Sequence, residues 1–198
     1  DIHKICKKSW LTEGDQIWMI GLPLEINSNK DNRISLSASS FLEYIHGLKT
    51  GRPPETDLDL EKQVHSFLRK VIKEGLINSA HDVGDGGLAI AIAECCISSG
   101  LGANIMLPSS ELRLDRLLFA EGGARVLISC SDDQALELNK YYKNISLQKT
   151  NSFSISNLGT VNNENKLSIY QSNDLIIDSN IADLKDTYKN SIYNKISK

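Results

Sequence analysis

The sequence predicts an α+β fold: a two-layer α/β sandwich on a mixed, largely antiparallel sheet. Three observations carry this. Short apolar runs rich in β-branched residues alternate with helical patterns, and the last third of the chain reads as strands joined by polar turns. The 198 residues, 40% hydrophobic and 24% charged, suffice for one sizeable core.

Taken in order, residues 17–24 read as a buried strand opened by a turn at Gly14-Asp15, where the domain begins, and residues 27–33 as an exposed loop. Ser39-Ser40 can cap a short helix that Gly47 ends, and Glu43 has capping-box spacing if Ser40 is the cap. Pro53-Pro54 enforces an extended link. Leu58, Leu60, Val64, Phe67, Leu68, Val71 and Ile72 recur at helical spacing, predicting an amphipathic helix over 57–74 that ends near Gly75 and serves as scaffold. The polar turn within 79–88 runs into an apolar helix from Ala89 through Cys96, terminated by Gly100 and Gly102.

Beyond it, residues 103–107 form a strand, 112–119 a short helix, and Val126-Leu127-Ile128 a central strand. Asp132-Asp133 can cap a helix through Ala135, Leu136 and Leu138. Residues 153–161, 166–170 and 175–178 read as a strand meander, and 181–193 as a closing helix. The Asn- and Lys-rich tracts at 139–166 and 188–198 read as solvated surface.

Charge and composition exclude several classes. A net charge of -3 with scattered basic residues gives no footprint for nucleic acid. No apolar run approaches a membrane span, and Asp1-Ile2-His3-Lys4 lacks a signal-peptide core, so a soluble cytoplasmic protein is expected. Cys6, Cys95, Cys96 and Cys130 lack metal-ligand or disulfide-framework spacing and read as free thiols. Nucleophile elbows, Walker loops, zinc spacings and dinucleotide fingerprints are absent.

The chemistry concentrates in Ser79-Ala80-His81-Asp82-Val83-Gly84-Asp85-Gly86-Gly87-Leu88. Glycines let a backbone approach a ligand, and the free N–H groups and dipole of a helix start favour a phosphate. His81 adds a titratable imidazole; Asp82 and Asp85 add hard oxygen donors suited to Mg²⁺. A plain helix start with Asp85 as N-cap fits the same residues equally well. Glu121 and Arg125 lie four apart and would pair if the turn between them were helical. Arg52, His46 and His65 read as ordinary surface or half-buried residues.

These motifs carry a resemblance. Ser79-Ala80-His81-Asp82-Val83, Asp85-Gly86-Gly87-Leu88-Ala89 and Ala93-Glu94 resemble the signature in the second half of phosphoribosylformylglycinamidine synthase, large subunit. Upstream, Tyr44-Ile45-His46-Gly47, Gly51-Arg52-Pro53-Pro54-Glu55 and Asp57-Leu58-Asp59-Leu60-Glu61 are similar to its lead-in. Downstream, Leu118-Phe119-Ala120-Glu121 and Ala124-Arg125-Val126-Leu127-Ile128-Ser129 match its segment before a buried strand, so the resemblance covers roughly residues 14 to 185.

The resemblance implies a fold like the C-terminal domain of aminoimidazole ribonucleotide synthetase-like proteins. Residues 14–198 would be that domain, and 1–13 a linker from an N-terminal domain missing here. It implies an ATP-dependent ligase using Mg²⁺ and ammonia from a glutaminase domain or subunit, with this chain inactive without the enzyme's other domains. His81, Asp82, Gly84, Asp85, Gly86, Gly87, Glu121 and Arg125 would face a nucleotide or substrate phosphate, with Asp82 or Asp85 available to the metal and no catalytic residue assigned. Gly84 stands where the family has Ser, and Gly122-Gly123 where it has Ser or Thr followed by Gln, so side-chain donors are missing and a supporting role for this half is expected. The alternatives are a domain of a related synthetase, of aminoimidazole ribonucleotide or selenophosphate type, or a free-standing nucleotide-binding regulatory domain.

Overall fold

A computed structural model describes residues 5–24, 31–110, 112–148 and 152–196. Its centre is strand β1 (Gln16–Gly21), which pairs antiparallel with β6 (Val126–Cys130) on one side and β7 (Ser154–Asn162) on the other. Strand β3 (Ser79–Asp82) borders β6. On the far side β4 (Gly102–Leu107) follows β7, then β8 (Lys166–Gln171) and β9 (Asp174–Asn180). The order β3-β6-β1-β7-β4-β8-β9 is antiparallel throughout except between β4 and β8. A separate two-stranded pair joins β2 (Ile34–Ser35) to β5 (Glu121–Gly122).

The α+β class and the mixed, largely antiparallel sheet are as expected; the layer count differs. Helices α2 (Leu58–Glu74) and α5 (Asp132–Gln148) close one face through Leu60, Val64, Phe67, Val71, Ala135 and Leu138. Helices α3 (Gly87–Ser99), α4 (Leu114–Phe119) and α6 (Ile181–Ile196) close the other. Both faces of the central strands are apolar, with Ile17 and Met19 towards α3 and Ile20 and Ile128 towards α2, so both require cover.

Local chemistry sets the helix ends. Helix α2 starts on Asp57, whose carboxylate accepts the Leu60 N–H, and stops at Gly75 in the left-handed region at φ 70°. Helix α3 is buried almost all round because it packs against the sheet and against both α4 and α6. Helix α1 (Ser40–His46) is capped by Ser39 rather than Ser40, since Ser39 Oγ accepts the Leu42 N–H, so Glu43 stands outside capping-box position. The box occurs instead at α5. Ser131 Oγ accepts the Gln134 N–H and Gln134 Oε1 accepts the Ser131 N–H, displacing the expected Asp132-Asp133 cap.

Other expectations change. The segment 79–82, read as part of a flexible turn, is edge strand β3. Gly102 opens β4 instead of ending α3, and a Cβ there would sit 2.3 Å from Lys166 O. The meander breaks because β4 lies between β7 and β8, and within the tract read as surface residues 154–162 are the interior strand β7. Most of the expected 27–33 loop lies outside the described residues. Before β1, Lys7 bridges to Ser79 and Trp10 is buried in the core. Cys95, Cys96 and Cys130 are buried free thiols and Cys6 is half-buried.

Candidate functional site

Strand β3 delivers the chain into a tight turn, where the Val83 N–H bonds Arg125 O at 2.9 Å and the Gly87 N–H bonds Gly84 O at 3.1 Å. Gly86 and Gly87 hold φ 79° and 73°, the region side chains disfavour. Gly86, not Asp85, is the N-cap of α3, and no side chain of its own caps it. A Cβ on Gly87 would lie 2.7 Å from Phe119 C and 2.8 Å from Ala120 O, so the turn abuts the end of α4 backbone to backbone.

That neighbouring segment supplies the cap. Glu121 Oε1 accepts the Gly86 N–H at 2.8 Å and the Ser40 N–H at 2.9 Å, so a carboxylate from the next segment bonds the N-cap residue of α3. Glu121 and Arg125 do not pair as a helical turn would require, because Gly122, Gly123 and Ala124 hold φ 98°, 83° and 47°. The Arg125 guanidinium turns inward, with Nη2 donating to Ala120 O at 2.5 Å and Nε to Gly122 O at 2.9 Å. It is 2% exposed, Nη1 has no partner among the described residues, and burial lowers its pKa to about 10. At Gly122 a Cβ would meet Arg33 O at 2.4 Å, so this backbone leaves no room for a side-chain donor there.

His81 is held by Asp82, which the sequence placed beside it, and by Glu94, whose pairing with it the sequence did not single out. Its Nε2 lies 2.7 Å from Glu94 Oε2 on α3 and its Nδ1 3.4 Å from Asp82 Oδ1, while Glu94 also meets Lys8 Nζ at 3.6 Å. The Ala93-Glu94 pair was legible as part of the motif, and helical spacing from Gly87 could have turned Glu94 back towards β3.

Two cavities flank the turn. One, of about 440 Å³, runs between Asp82–Asp85, the Gly122–Ala124 segment and Glu61 and His65 of α2, so α2 is also a wall of the site and not scaffold alone. The other, of about 300 Å³, is bounded by His81, Asp82, Gly84, Asp85, Ala91 and Glu94. The larger groove of about 680 Å³ lies between α2 and α5 and includes no residue of the glycine turn. We place the candidate site at the turn, where the glycine geometry and charged groups converge.

The electrostatics of the 440 Å³ cleft are acidic. Glu55, Glu61, Asp82, Asp85 and Glu121 line it against His65 and the inward-turned Arg125. Such a wall repels a bare phosphate and suits one carrying a divalent cation. Among the described residues no group of three or more His, Cys, Asp or Glu is poised as a metal centre.

Residues 12–170 match the family model described as AIR synthase related protein, C-terminal domain. The chain belongs to this family. Along all of its 198 residues it is 76% identical to the phosphoribosylformylglycinamidine synthase subunit PurL of Prochlorococcus marinus (strain NATL1A), covering 25% of that protein. To the PurL subunit of Nostoc punctiforme it is 41% identical over 201 residues, covering 100% of this chain and 24% of that protein. The chain thus spans about a quarter of the length of these curated relatives.

Solved structures share the fold of this chain. T. maritima PurL complexed with FGAR superposes with a TM-score of 0.73 at 19% identity, over 92% of this chain and 30% of that one. T. maritima PurL complexed with ATP gives 0.65 at 17% identity, over 92% and 27%. E. coli HypE, a hydrogenase maturation protein, gives 0.54 at 13%, over 89% and 51%. No helix among the described residues is long and apolar enough to cross a membrane.

Proposed function

We propose that this domain is the C-terminal domain of the second half of a phosphoribosylformylglycinamidine synthase, with residues 14–198 as the domain and 1–13 as its lead-in. The carrying observation is 76% identity to a PurL subunit along the whole chain. Relatives named PurL in Prochlorococcus marinus and Nostoc punctiforme favour this reading over a related synthetase or a free-standing regulatory domain. In the complete enzyme, a cytoplasmic ligase, ATP phosphorylates the amide oxygen of formylglycinamide ribonucleotide. Ammonia, released from glutamine by a glutaminase partner, then attacks the carbon and displaces phosphate to leave the amidine.

Here the domain supplies one wall of a nucleotide or substrate cleft. His81, Asp82, Gly84, Asp85, Gly86 and Gly87 shape its edge, and Glu121 and Arg125 hold that edge in place. Mg²⁺ would be held by Asp82 or Asp85 together with nucleotide phosphates, which supply the remaining oxygens. The acidity of the cleft supports this, since its five carboxylates favour a phosphate that arrives with a cation over a bare one. The missing side-chain donors at Gly84 and Gly122-Gly123 support a supporting rather than catalytic role.

With one wall alone, the purified 198-residue chain is expected to fold, to bind nucleotide weakly and to show no ATP turnover. Steady-state amidation of formylglycinamide ribonucleotide by this chain alone would refute the reading.

A further inference from the structure

We infer that Glu121 is a positioning residue for the glycine turn, and that its carboxylate occupies the anion position at the start of α3 in place of a phosphate. One oxygen receives both the Gly86 and Ser40 N–H groups, at 2.8 and 2.9 Å, so one atom ties the turn to the first residue of α1. The direction of that carboxylate is set from behind. Arg125 grips the carbonyls on either side of Glu121, those of Ala120 and Gly122, from a buried position.

Gly87 completes the lock by resting against the Phe119–Ala120 backbone, and Phe41 of α1 stacks on Phe119 with ring centroids 4.9 Å apart. The turn, the 119–125 segment and the start of α1 therefore form one unit with Glu121 at its junction. A phosphate arriving at the Gly86 N–H would meet the Glu121 oxygen already bonded there, with Asp82 and Asp85 lining the same cleft. Like charges at that spacing oppose its entry. Ligand contacts in this cleft fall instead to the Gly84 backbone and to carboxylates acting through a cation.

The assignment deepens the reading above and takes from it only that the glycine turn fronts the ligand cleft. Its test uses the 198-residue chain and leaves amidation aside, so the two readings fail separately. Amide hydrogen exchange and ¹H–¹⁵N shifts of Ser40 and Gly86 are compared in wild type, E121Q and E121A. Both amides are expected to change together, exchanging roughly tenfold or more faster in E121A. E121Q should keep part of that protection, because its neutral oxygen still accepts. Titration of the wild type with inorganic phosphate should leave both resonances in place. Unchanged amides in E121A, a response at only one of the two, or a saturable phosphate shift at Gly86 in the wild type would each overturn the assignment. Should E121A fail to fold, E121Q decides the matter: a partial, parallel loss of protection at both amides supports the assignment, and unchanged protection at either overturns it.

Discussion

At Gly87 a single absent methyl group decides the shape of the site. Its φ of 73° and the backbone 2.7 Å from any Cβ leave no low-energy side chain, so Gly87→Ala should cost about 2–4 kcal/mol in urea unfolding at unchanged m-value. In the complete enzyme Gly87→Val should weaken ligand binding or domain docking beyond that loss; unchanged ligand affinity would leave the turn a packing device. The buried thiols give a pH signature. Burial raises Cys96 to about 11 and Cys130 to about 12, and Cys95 moves the same way. The folded state then holds protons the unfolded chain has released, so stability should fall as pH rises from about 9 towards 12. Arg125 acts in the opposite sense above about pH 10, because its lowered pKa makes the folded state release a proton first. Three thiols outweigh one guanidinium, and urea titrations at pH 8 and 10.5 should show the decline. Residue identities at the site were legible in the motif, but the pairing of Glu121 with Gly86 and Ser40 was not. It depends on left-handed backbone at Gly122, Gly123 and Ala124, which residue spacing does not encode.

Among the elements, α2 was the most legible, because its apolar stripe and its Gly75 stop agree with one another, while Asp57, read as its first residue, is its cap. The caps of α1 and α5 were harder. Adjacent candidates, Ser39 beside Ser40 and Ser131 beside Asp132, differ by one residue, and side-chain reach rather than type selects between them. Ser131→Ala should cost about 1 kcal/mol by removing half of the α5 capping box, measured by thermal or urea unfolding. Strand β3 was hidden because its exposed Asp82 and half-buried His81 blur the alternation of an edge strand. Strand β7 holds Gly159 at φ 151°, where a Cβ would come 1.9 Å from Asn104 O of β4. Gly159→Ala should therefore open the β4–β7 pairing, with a loss of about 3 kcal/mol or more and a drop in amide protection along both strands.

For the whole molecule, the class and the mixed sheet followed from pattern, whereas strand order did not. Polar turns after β7 read as hairpins, yet Leu167 and Ile169 of β8 pair with Ala103 and Ile105 of β4, joining the apolar layer beneath α3 and α6. Long-range burial of this kind leaves no trace in local spacing. The same limit applies to the site, whose cleft draws on α2, β3 and the segment after α4. The central claim, that the chain is an interchangeable domain of a phosphoribosylformylglycinamidine synthase, is tested most directly by substitution. The corresponding quarter of the 76%-identical Prochlorococcus marinus subunit is replaced by these 198 residues, and ATP-dependent amidation of formylglycinamide ribonucleotide is measured. The chimera should keep kcat/KM within about tenfold of the parent, a difference of about 1.4 kcal/mol in transition-state stabilisation; a folded chimera that binds its substrates but forms no amidine would contradict this.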